Sequence, residues 1–381
     1  MKTIYLHGSP DYYGSGKVLL EILCIPENAS NAIVIFPHDG PLCSAIRSMG
    51  IPLYIINMGV LRRKYFSPWG MASRLYCWIY SVMRIRNIVY CEKVSRIYVN
   101  SLNIVIGPWL KTNKKIQLIW HLHEIIERPR VLYFFLQELL KKADTIIAVS
   151  NATKKHWENN SLKNSIQLLY NGFHFQQSTQ RISGASIATS KEKSSTSTVV
   201  GMIGRIQPWK GQSYLLAILQ ELIRLPDFKK LKDFSVLIAG DAYPGYEYLE
   251  MELQVEINQK ELAPIVKYLG YQKDISSLLY QLDLLIVPSL KPDPLPTVVL
   301  EAMFAQKAVL ATQQGGCLEL IEEDVTGFFI PVNDAKISSR ILLELLLNKK
   351  KLENAGLAGE KRGRELFSRE AFQRNWQRIM K

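Results

Sequence analysis

The feature that most limits the fold is an alternation of short apolar runs with longer amphipathic segments, which occurs twice along the chain. In the N-terminal half, the apolar runs predict strands at 2–7, 31–37, 52–56, 95–99, 116–121, 145–149 and 166–170. Apolar residues at helical spacing lie between them, at 14–24, 41–48, 69–91, 131–142 and 151–159. Strands that alternate with helices indicate βαβ units and a mainly parallel sheet.

The alternation stops at 176–197, a stretch rich in Ser and Thr with almost nothing apolar to bury, which we interpret as a linker. It then resumes, with strands predicted at 198–204, 235–240, 265–269, 283–287 and 308–312 and helices at 211–224, 246–261, 296–306 and 335–347. A chain of 381 residues is too long for one ordinary α/β domain. The sequence therefore predicts two doubly wound domains, at 1–175 and 198–367.

Composition limits the compartment and the kind of partner. The five cysteines form no CxxC pair, which argues against a disulfide framework and a zinc site and favours a reducing compartment. The N-terminus lacks the features of a signal peptide and no run of about 18 apolar residues occurs, so we expect a cytoplasmic protein without a membrane span. The net charge of +13 favours an anionic partner, or reflects a generally basic surface.

The most informative candidate site is KPDPLPTVVLE, at 291–301, which follows the strand predicted at 283–287. Parallel sheets bind ligands where their strands end, and a helix that opens near Pro296 and Thr297 offers free N–H groups to an anion. Asp293 can accept hydrogen bonds from sugar hydroxyls, and Glu301 can reach a ribose diol. The alternative is that both are ordinary carboxylates near a helix N-terminus.

A second candidate site is GRIQPWKG, which runs from Gly204 to Gly211 after the strand predicted at 198–204. Arg205 and Lys210 both follow that strand and precede a helix. Two cations there suit a diphosphate and stabilise it as it leaves with additional negative charge. The alternative is that both are solvated surface side chains.

GRIQPWKG followed by DPLPTVVLEAM resembles the retaining glycosyltransferases of family 4, which have the GT-B fold. The resemblance implies two Rossmann-like domains that face each other across a cleft, with the acceptor on the N-terminal domain. It also implies a UDP- or GDP-sugar as donor, and a terminal helix at 368–381 that crosses back to the first domain. The family pattern is Glu-x7-Glu, whereas this chain has Asp293-x7-Glu301, so the first acid is one methylene shorter.

The resemblance assigns further residues to the site. It implies catalytic roles for His123, Arg205, Lys210 and Asp293, with His123 contacting the transferred sugar. It implies that the donor also contacts Gly14, Ser15, Gly16, Gly204, Tyr271, Asp274, Leu295, Pro296, Thr297 and Glu301. For His121 and His123, a metal pair and buried structural histidines are competing interpretations. The Gly-Ser-Gly-Lys run at 14–17 is not a P-loop, because Asp11 stands where the first Gly belongs and Val18 replaces Ser or Thr.

The chain contains no Asp-x-Asp, so we expect no metal ion and no cofactor besides the donor substrate. The resemblance implies that the anomeric configuration is retained, and we expect the acceptor to be a glycan or a lipid-linked oligosaccharide. The shortened acid leaves open a catalytically weak module that binds sugar nucleotides or glycans. A different class of GT-B enzyme, such as an epimerase or a phosphorylase, is a third interpretation.

Segment 61–98 is unusually cationic and aromatic. It holds eight Lys and Arg residues against one acid, Glu92, together with eight Tyr, Trp and Phe residues. Met71, Leu75, Trp78, Ile79 and Val82 are predicted to share one helical face. Such a helix suits an anionic membrane interface, and the alternative is a helix that packs on its own sheet. We expect no nucleic-acid binding, because no recognised motif for it is present.

Overall fold

The computed structural model describes residues 1–12, 14–62, 65–126, 129–159, 162, 165–173, 197–243 and 245–380. The chain divides into two compact units, one formed by Met1–Gly172 with Arg369–Lys381 and the other by Phe173–Ser368. Each unit is built on its own parallel sheet, so the predicted α/β class with two Rossmann-like domains is confirmed. Of the linker predicted at 176–197, all but Ser197 lies outside the described residues.

The first unit contains a seven-stranded parallel sheet. Its strands are β1 (Thr3–Leu6), β2 (Ala32–Phe36), β3 (Leu53–Ile55), β4 (Arg96–Val99), β5 (Gln117–Leu122), β6 (Thr145–Ala148) and β7 (Ile166–Leu168). Across the sheet their order is β3-β2-β1-β4-β5-β6-β7. The order changes direction between β1 and β4, so the loops after these two strands diverge and leave a crevice at the carboxyl edge.

Helices cover both faces of this sheet and divide its core into two layers. They are α1 (Gly14–Leu23), α2 (Pro26–Ala29), α3 (Pro41–Ser48), α4 (Pro68–Cys91), α5 (Arg130–Leu140) and α6 (Asn151–Trp157). Ile85 of α4 and Leu136 of α5 pack on one face, whereas Leu19 of α1 and Ile46 of α3 pack on the other. Because these strands are buried on both faces, they read as continuous apolar runs, which is why they could be predicted.

Helix α4 does not present the single apolar face that its sequence predicted. Trp78 and Val82 pack against the core, whereas Met71, Leu75 and Ile79 are exposed. The side chains that α4 buries are instead Arg74, Ser81, Ile85 and Val89. The Trp78 indole donates to the carbonyl of Gly59 at 2.8 Å, and this bond fixes the rotation of the helix. The apolar face is therefore split between the core and the surface.

The second unit contains a six-stranded parallel sheet with seven helices among its described residues. The strands are β8 (Thr198–Ile203), β9 (Phe234–Ala239), β10 (Val266–Tyr268), β11 (Leu284–Val287), β12 (Ala308–Thr312) and β13 (Phe328–Ile330). The helices are α7 (Gln212–Leu222), α8 (Tyr248–Gln259), α9 (Ile275–Gln281), α10 (Thr297–Phe304), α11 (Cys317–Leu320), α12 (Ala335–Leu347) and α13 (Lys349–Leu366). The order is β10-β9-β8-β11-β12-β13, which changes direction between β8 and β11.

Sequence reasoning missed α2, α9, α11, α13 and β13. Helix α13 is the longest of these, and it lacks an apolar stripe because three of the five residues that it buries are glycines. A Cβ on Gly356 would come within 2.2 Å of the Gln306 carbonyl oxygen, and one on Gly363 would touch the Phe304 ring at 3.4 Å. Small residues let α13 approach α10 closely, but they give no hydrophobic periodicity to read.

The last helix, α14 (Arg369–Met380), belongs to the first unit. Phe372 and Trp376 are buried in the core layer that contains α1 and α3. The Trp376 ring lies 5.5 Å from that of Tyr98 on β4. Arg369 at the start of the helix pairs with Glu21 of α1 at 2.6 Å. The chain therefore completes the core of its first unit with its last helix.

We expect Trp376→Ala to lower the free energy of unfolding of the first unit by about 3–5 kcal/mol, because it removes a large buried ring. Trp69→Ala is the matched control, since Trp69 is 88% exposed and Trp376 only 2%. Urea denaturation followed by circular dichroism measures both. If Trp376→Ala unfolds at the same urea concentration as the wild type, α14 does not close this core.

Candidate active site

In the second unit, the loops after β8 and β9 are pressed together at the carboxyl edge of the sheet. Gly204 and Gly240 end the two strands with φ of +155° and +144°. A Cβ on Gly240 would lie 1.9 Å from the Gly204 carbonyl oxygen. This approach is open only to glycine, and it directs the chain from Gly204 into Arg205 at the point where the strand order reverses.

The turn from β8 into α7 lies as close to the end of β11 as the loops after β8 and β9 lie to each other. Gly211 has φ of +87°, and a Cβ there would lie 1.9 Å from the carbonyl oxygen of Pro288. The amide of Leu290 donates to the carbonyl of Trp209 at 2.7 Å. These contacts bring the two sequence motifs together, although they lie far apart along the chain.

Lys210 and Asp293 form a direct ion pair at this meeting point. Their Nζ and Oδ2 atoms are 2.5 Å apart, and the Asp293 residue is only 7% exposed. The backbone of Asp293 is fixed as well, since its carbonyl accepts from the Gly316 amide at 2.7 Å. A Cβ on Gly315 would lie 2.5 Å from that carbonyl oxygen. The sequence assigned Lys210 to phosphate and Asp293 to sugar, and it did not predict their pairing.

Arg205 is buried and stacks on an aromatic ring that sequence reasoning missed. Its guanidinium carbon lies 3.7 Å from the centroid of the Tyr243 ring, in the loop after β9. Its carbonyl accepts from the side-chain amide of Gln212 at 2.9 Å. A tyrosine in a loop carries no motif, so only the adjacency of β8 and β9 identifies it. The cation is held in a defined orientation by the ring.

The residues of the 291–301 motif lie where the strand order predicts. Pro296 precedes Thr297, the first residue of α10, and Leu295 is buried beneath the turn. Glu301 lies one turn into the helix and is 6% exposed. Two buried carboxylates, Asp293 and Glu301, therefore lie with Lys210 and Arg205 in the same unit.

The turn after β10, which the resemblance assigns to the donor through Tyr271 and Asp274, has a structural role in part. Asp274 is the N-cap of α9 and accepts from the Ser277 amide at 3.0 Å. The hydrogen bond from the Ser277 hydroxyl lowers the pKa of Asp274. Tyr271 is exposed. Asp274 is thus engaged by its own helix, whereas the exposed ring of Tyr271 is accessible to a ligand.

In the first unit, two histidines lie just beyond the ends of strands, the buried His7 and the partly buried His123. His123 follows β5, and its Nε2 lies 2.8 Å from the side-chain oxygen of Asn100, which follows β4. The amide nitrogen of Asn100 lies 3.0 Å from His7 Nδ1, after β1, and donates to the carbonyl of Ser15 at 3.0 Å. Burial lowers the pKa of His123 well below its usual value and that of His7 to about 4.

His121 occupies a different place from His123. It is fully buried on β5, and its Nδ1 lies 2.6 Å from the Tyr98 hydroxyl. Burial lowers its pKa to about 3. Its ring is 4.2 Å from that of His123, but no three His, Cys, Asp or Glu side chains in the described part of the chain are arranged as metal ligands. His121 is therefore a core residue that supports the ring of His123.

The glycine-containing loop before α1 is tightly packed. A Cβ on Gly16 would lie 2.3 Å from the Asp11 carbonyl oxygen. Gly14 and Ser15 form the first turn of α1. The Ser15 carbonyl is held by Asn100, so the loop and His123 share one anchor. Gly14, Ser15 and His123 thus lie at the carboxyl edge of one sheet.

The chain is similar in sequence to known glycosyltransferases. Residues 186–362 match the family model of glycosyl transferases group 1. The chain is 25% identical over 284 residues to the lipopolysaccharide 1,2-N-acetylglucosaminetransferase of Salmonella typhimurium, a match that covers 73% of this chain and 70% of that protein. It is 38% identical over 88 residues to the N,N'-diacetylbacillosaminyl-diphospho-undecaprenol alpha-1,3-N-acetylgalactosaminyltransferase of Campylobacter jejuni, a match that covers 23% of each.

Solved structures show the same fold. Anabaena HepE in complex with UDP-glucose aligns over 100% of this chain and 99% of that chain, with a TM-score of 0.79 and 22% identity. The fold is GT-B, as the motifs predicted. Together these matches support a glycosyltransferase similar to the group 1 family, whereas the assignment to family 4 and the individual site residues stay predictions.

We expect Gly211→Ala to destabilise the second unit more than Gly245→Ala does. Both positions have a left-handed φ, +87° and +89°, which costs about 1 kcal/mol with a side chain. Only at Gly211 would the Cβ collide with another loop, and overpacking adds about 1–3 kcal/mol. Guanidinium denaturation measures both variants. Equal losses would show that the Gly211 contact does not hold the loops together.

Proposed function

We propose that this chain is a retaining glycosyltransferase, acting on a nucleotide-sugar donor and a glycan acceptor in the synthesis of a surface polysaccharide or related glycan. The observation that carries the proposal is the group of Arg205, Lys210, Asp293 and Glu301, two cations and two buried carboxylates where the strand order reverses. The match to group 1 glycosyl transferases supports the reaction class. The Salmonella relative, named for lipopolysaccharide, supports the class of product.

In this proposal the donor's nucleotide binds the second unit. Arg205 and Lys210 hold the diphosphate, because a stacked guanidinium and a half-exposed ammonium supply fixed positive charge. Glu301 holds the ribose diol, and Tyr271 is available to the base. HepE, solved with UDP-glucose, makes a uridine nucleotide the first donor to test.

The ion pair with Lys210 gives the Asp293 side chain a defined orientation before the donor arrives. The Lys210 ammonium lies 2.5 Å from Asp293 Oδ2 and so fixes the direction in which the carboxylate points. Asp293 then remains a hydrogen-bond acceptor for hydroxyls of the transferred sugar. Lys210 has further N–H groups for a phosphate oxygen, so one ammonium can bridge the sugar site and the diphosphate site.

The proposed step forms one bond and breaks another on the same face of the sugar. The acceptor hydroxyl oxygen bonds to the anomeric carbon while the bond from that carbon to the phosphate oxygen breaks. The departing phosphate oxygen takes the acceptor's proton, and the nucleoside diphosphate leaves. Arg205 and Lys210 stabilise the charge that develops on the diphosphate. We propose that these two cations do so without a divalent metal ion.

For the acceptor, we propose a lipid-linked glycan. The Campylobacter relative is named for a substrate that carries diphospho-undecaprenol. Helix α4 of the first unit supports the same idea, because large apolar side chains are exposed along it. They are Trp69, Met71, Leu75, Tyr76, Ile79, Tyr80, Met83 and Tyr90. Exposed apolar patches of this kind usually mark an interaction surface.

Charge favours an anionic lipid surface as the partner of α4. Arg84 and Arg86 are exposed on the same helix, and the acid of the segment, Glu92, is paired with Lys2. Among the described residues no helix is long and apolar enough to cross a bilayer. We therefore propose attachment by α4 at the inner face of the plasma membrane, where each cation contributes about 1 kcal/mol.

The function is tested with a panel of UDP- and GDP-sugars, a lipid-linked acceptor extract and excess EDTA. We expect mass spectrometry to detect a glycosylated product, and NMR to show that its anomeric configuration matches the donor. A donor that binds but is neither hydrolysed nor transferred would indicate a binding module. Activity that EDTA abolishes and Mg²⁺ restores would contradict the assignment of the diphosphate to Arg205 and Lys210.

We expect Arg205→Ala and Lys210→Ala each to lower turnover by about 10²–10³, because each removes a charge from the leaving diphosphate. Arg224→Ala is the matched control, since Arg224 lies on the surface of the same unit with its side chain 69% exposed. Nucleotide release from the donor measures all three. Near-normal turnover in both site variants would remove the basis of the proposed site.

We expect the double variant Arg84→Gln, Arg86→Gln to bind anionic vesicles about thirtyfold more weakly at low salt, because two cations are lost. Lys229→Gln with Lys232→Gln, at exposed positions of the second unit, is the matched control. Sedimentation with phosphatidylglycerol vesicles at low and high salt measures binding. If the wild type ignores the vesicles at low salt, the membrane proposal is wrong and a soluble acceptor is favoured.

A further inference from the structure

The side chain of Asn100 contacts three segments of the first unit, and the sequence motifs did not predict that these segments meet. It follows β4, is fully buried, and lies where the strand order reverses between β1 and β4. Its side chain contacts the ring of His123, the ring of His7 and the backbone carbonyl of Ser15. No motif predicted a role for it.

The contacts of Asn100 determine which way its amide faces. The Ser15 carbonyl oxygen can only accept a hydrogen bond, so the group that faces it, at 3.0 Å, is the amide nitrogen. The second hydrogen of that nitrogen points to His7 Nδ1, also at 3.0 Å. The side-chain oxygen then faces His123 Nε2 at 2.8 Å and can only accept. The backbone carbonyl of one residue therefore fixes the orientation of the whole amide.

This orientation determines the position of the proton on His123. Because the Asn100 oxygen accepts, His123 must carry its hydrogen on Nε2. Burial lowers the pKa of both His123 and His7, so both rings are neutral at pH 7. A neutral imidazole has one N–H, so Nδ1 of His123 carries a lone pair. Within the described residues, no side chain or backbone group donates a hydrogen bond to that atom.

We propose that Asn100 is a positioning residue that fixes His123 in the Nε2–H tautomer, so that Nδ1 is presented as a hydrogen-bond acceptor. The inference rests on the proposed function together with the role that the family resemblance implies for His123, which is contact with the transferred sugar. It then specifies the chemistry of that contact. His123 recognises a group that donates a hydrogen bond, such as a sugar hydroxyl or amide N–H, and it does not donate to a ring oxygen or to phosphate.

The same arrangement couples the glycine-containing loop to His123. The Asn100 amide that orients His123 also holds the first turn of α1 through Ser15. A movement of this turn away from Asn100 would free the amide to rotate, and the tautomer of His123 would no longer be fixed. A purely structural role for Asn100 would anchor the loop without any preference for one tautomer.

The tautomer is tested by NMR on the whole chain, uniformly labelled with ¹⁵N, without donor or acceptor. The chain has six histidines, and His123→Gln removes one set of ring signals and so assigns it. We expect His123 to show a protonated Nε2 and an unprotonated Nδ1 at pH 7. A protonated Nδ1 would overturn the proposal, and it would do so whether or not the chain proves to be a glycosyltransferase.

Two variants separate the functions of Asn100. In Asn100→Ala we expect His123 to populate both tautomers and kcat/KM to fall about tenfold, the effect of losing one hydrogen bond. In Asn100→Asp the acceptor for Nε2–H is kept, so the tautomer is kept. The added carboxylate raises the pKa of His123, and activity is then lost as the pH falls through that raised value, because the protonated ring no longer accepts.

UDP affinity is the control in these variants, because the nucleotide is assigned to the second unit and should bind as in the wild type. Asn87→Ala, at an exposed position on α4, should leave the tautomer and kcat/KM unchanged. If Asn100→Ala lowers stability while the tautomer and kcat/KM stay as in the wild type, Asn100 is only structural and the proposal fails. An unchanged pH profile in Asn100→Asp would also contradict it.

Discussion

The candidate site of the second unit depends on one close contact, between the turn that follows β8 and the end of β11. At Gly211 the two segments are so close that a single Cβ would overlap the Pro288 carbonyl oxygen. A parallel sheet places its loops at one edge, but it does not press them together. Gly211 allows the two segments to approach this closely, and the approach places Lys210 Nζ 2.5 Å from Asp293 Oδ2. The charge arrangement of the candidate site thus follows from a backbone constraint.

In the first unit, loops that follow different strands are also held together, but by a side chain and not by a glycine. Asn100 lies beside the corresponding reversal of strand order, between β1 and β4, and bonds to the loop after one strand and to the histidine after another. Its amide is buried, so leaving any of its groups without a partner would cost free energy. Because of this cost, the loop before α1 and the His123 ring keep fixed positions relative to each other.

The strands and most long helices could be predicted because both sheets are buried on two faces and their strands are continuous apolar runs. Helix α13 could not be predicted, since most of the residues that it buries, such as Gly356, are glycines and give no hydrophobic periodicity. The Lys210–Asp293 pair and the stacking of Tyr243 on Arg205 join segments far apart in sequence. The rotation of α4 depends on one hydrogen bond from Trp78 to Gly59, which apolar spacing cannot reveal.

The residues around position 293 show how an aspartate fits there. A Cβ on Gly315 would lie 2.5 Å from the Asp293 carbonyl oxygen, which accepts from the Gly316 amide at 2.7 Å, so the main chain at 293 is closely held. From this position the shorter carboxylate meets the Lys210 ammonium, and the residue is left only 7% exposed. A glutamate is one methylene longer, so from the same backbone position its side chain would have to follow a different path to make this pair. The aspartate thus fits the short distance to Lys210, and in the proposed function the ion pair, rather than the carboxylate alone, would bind the sugar.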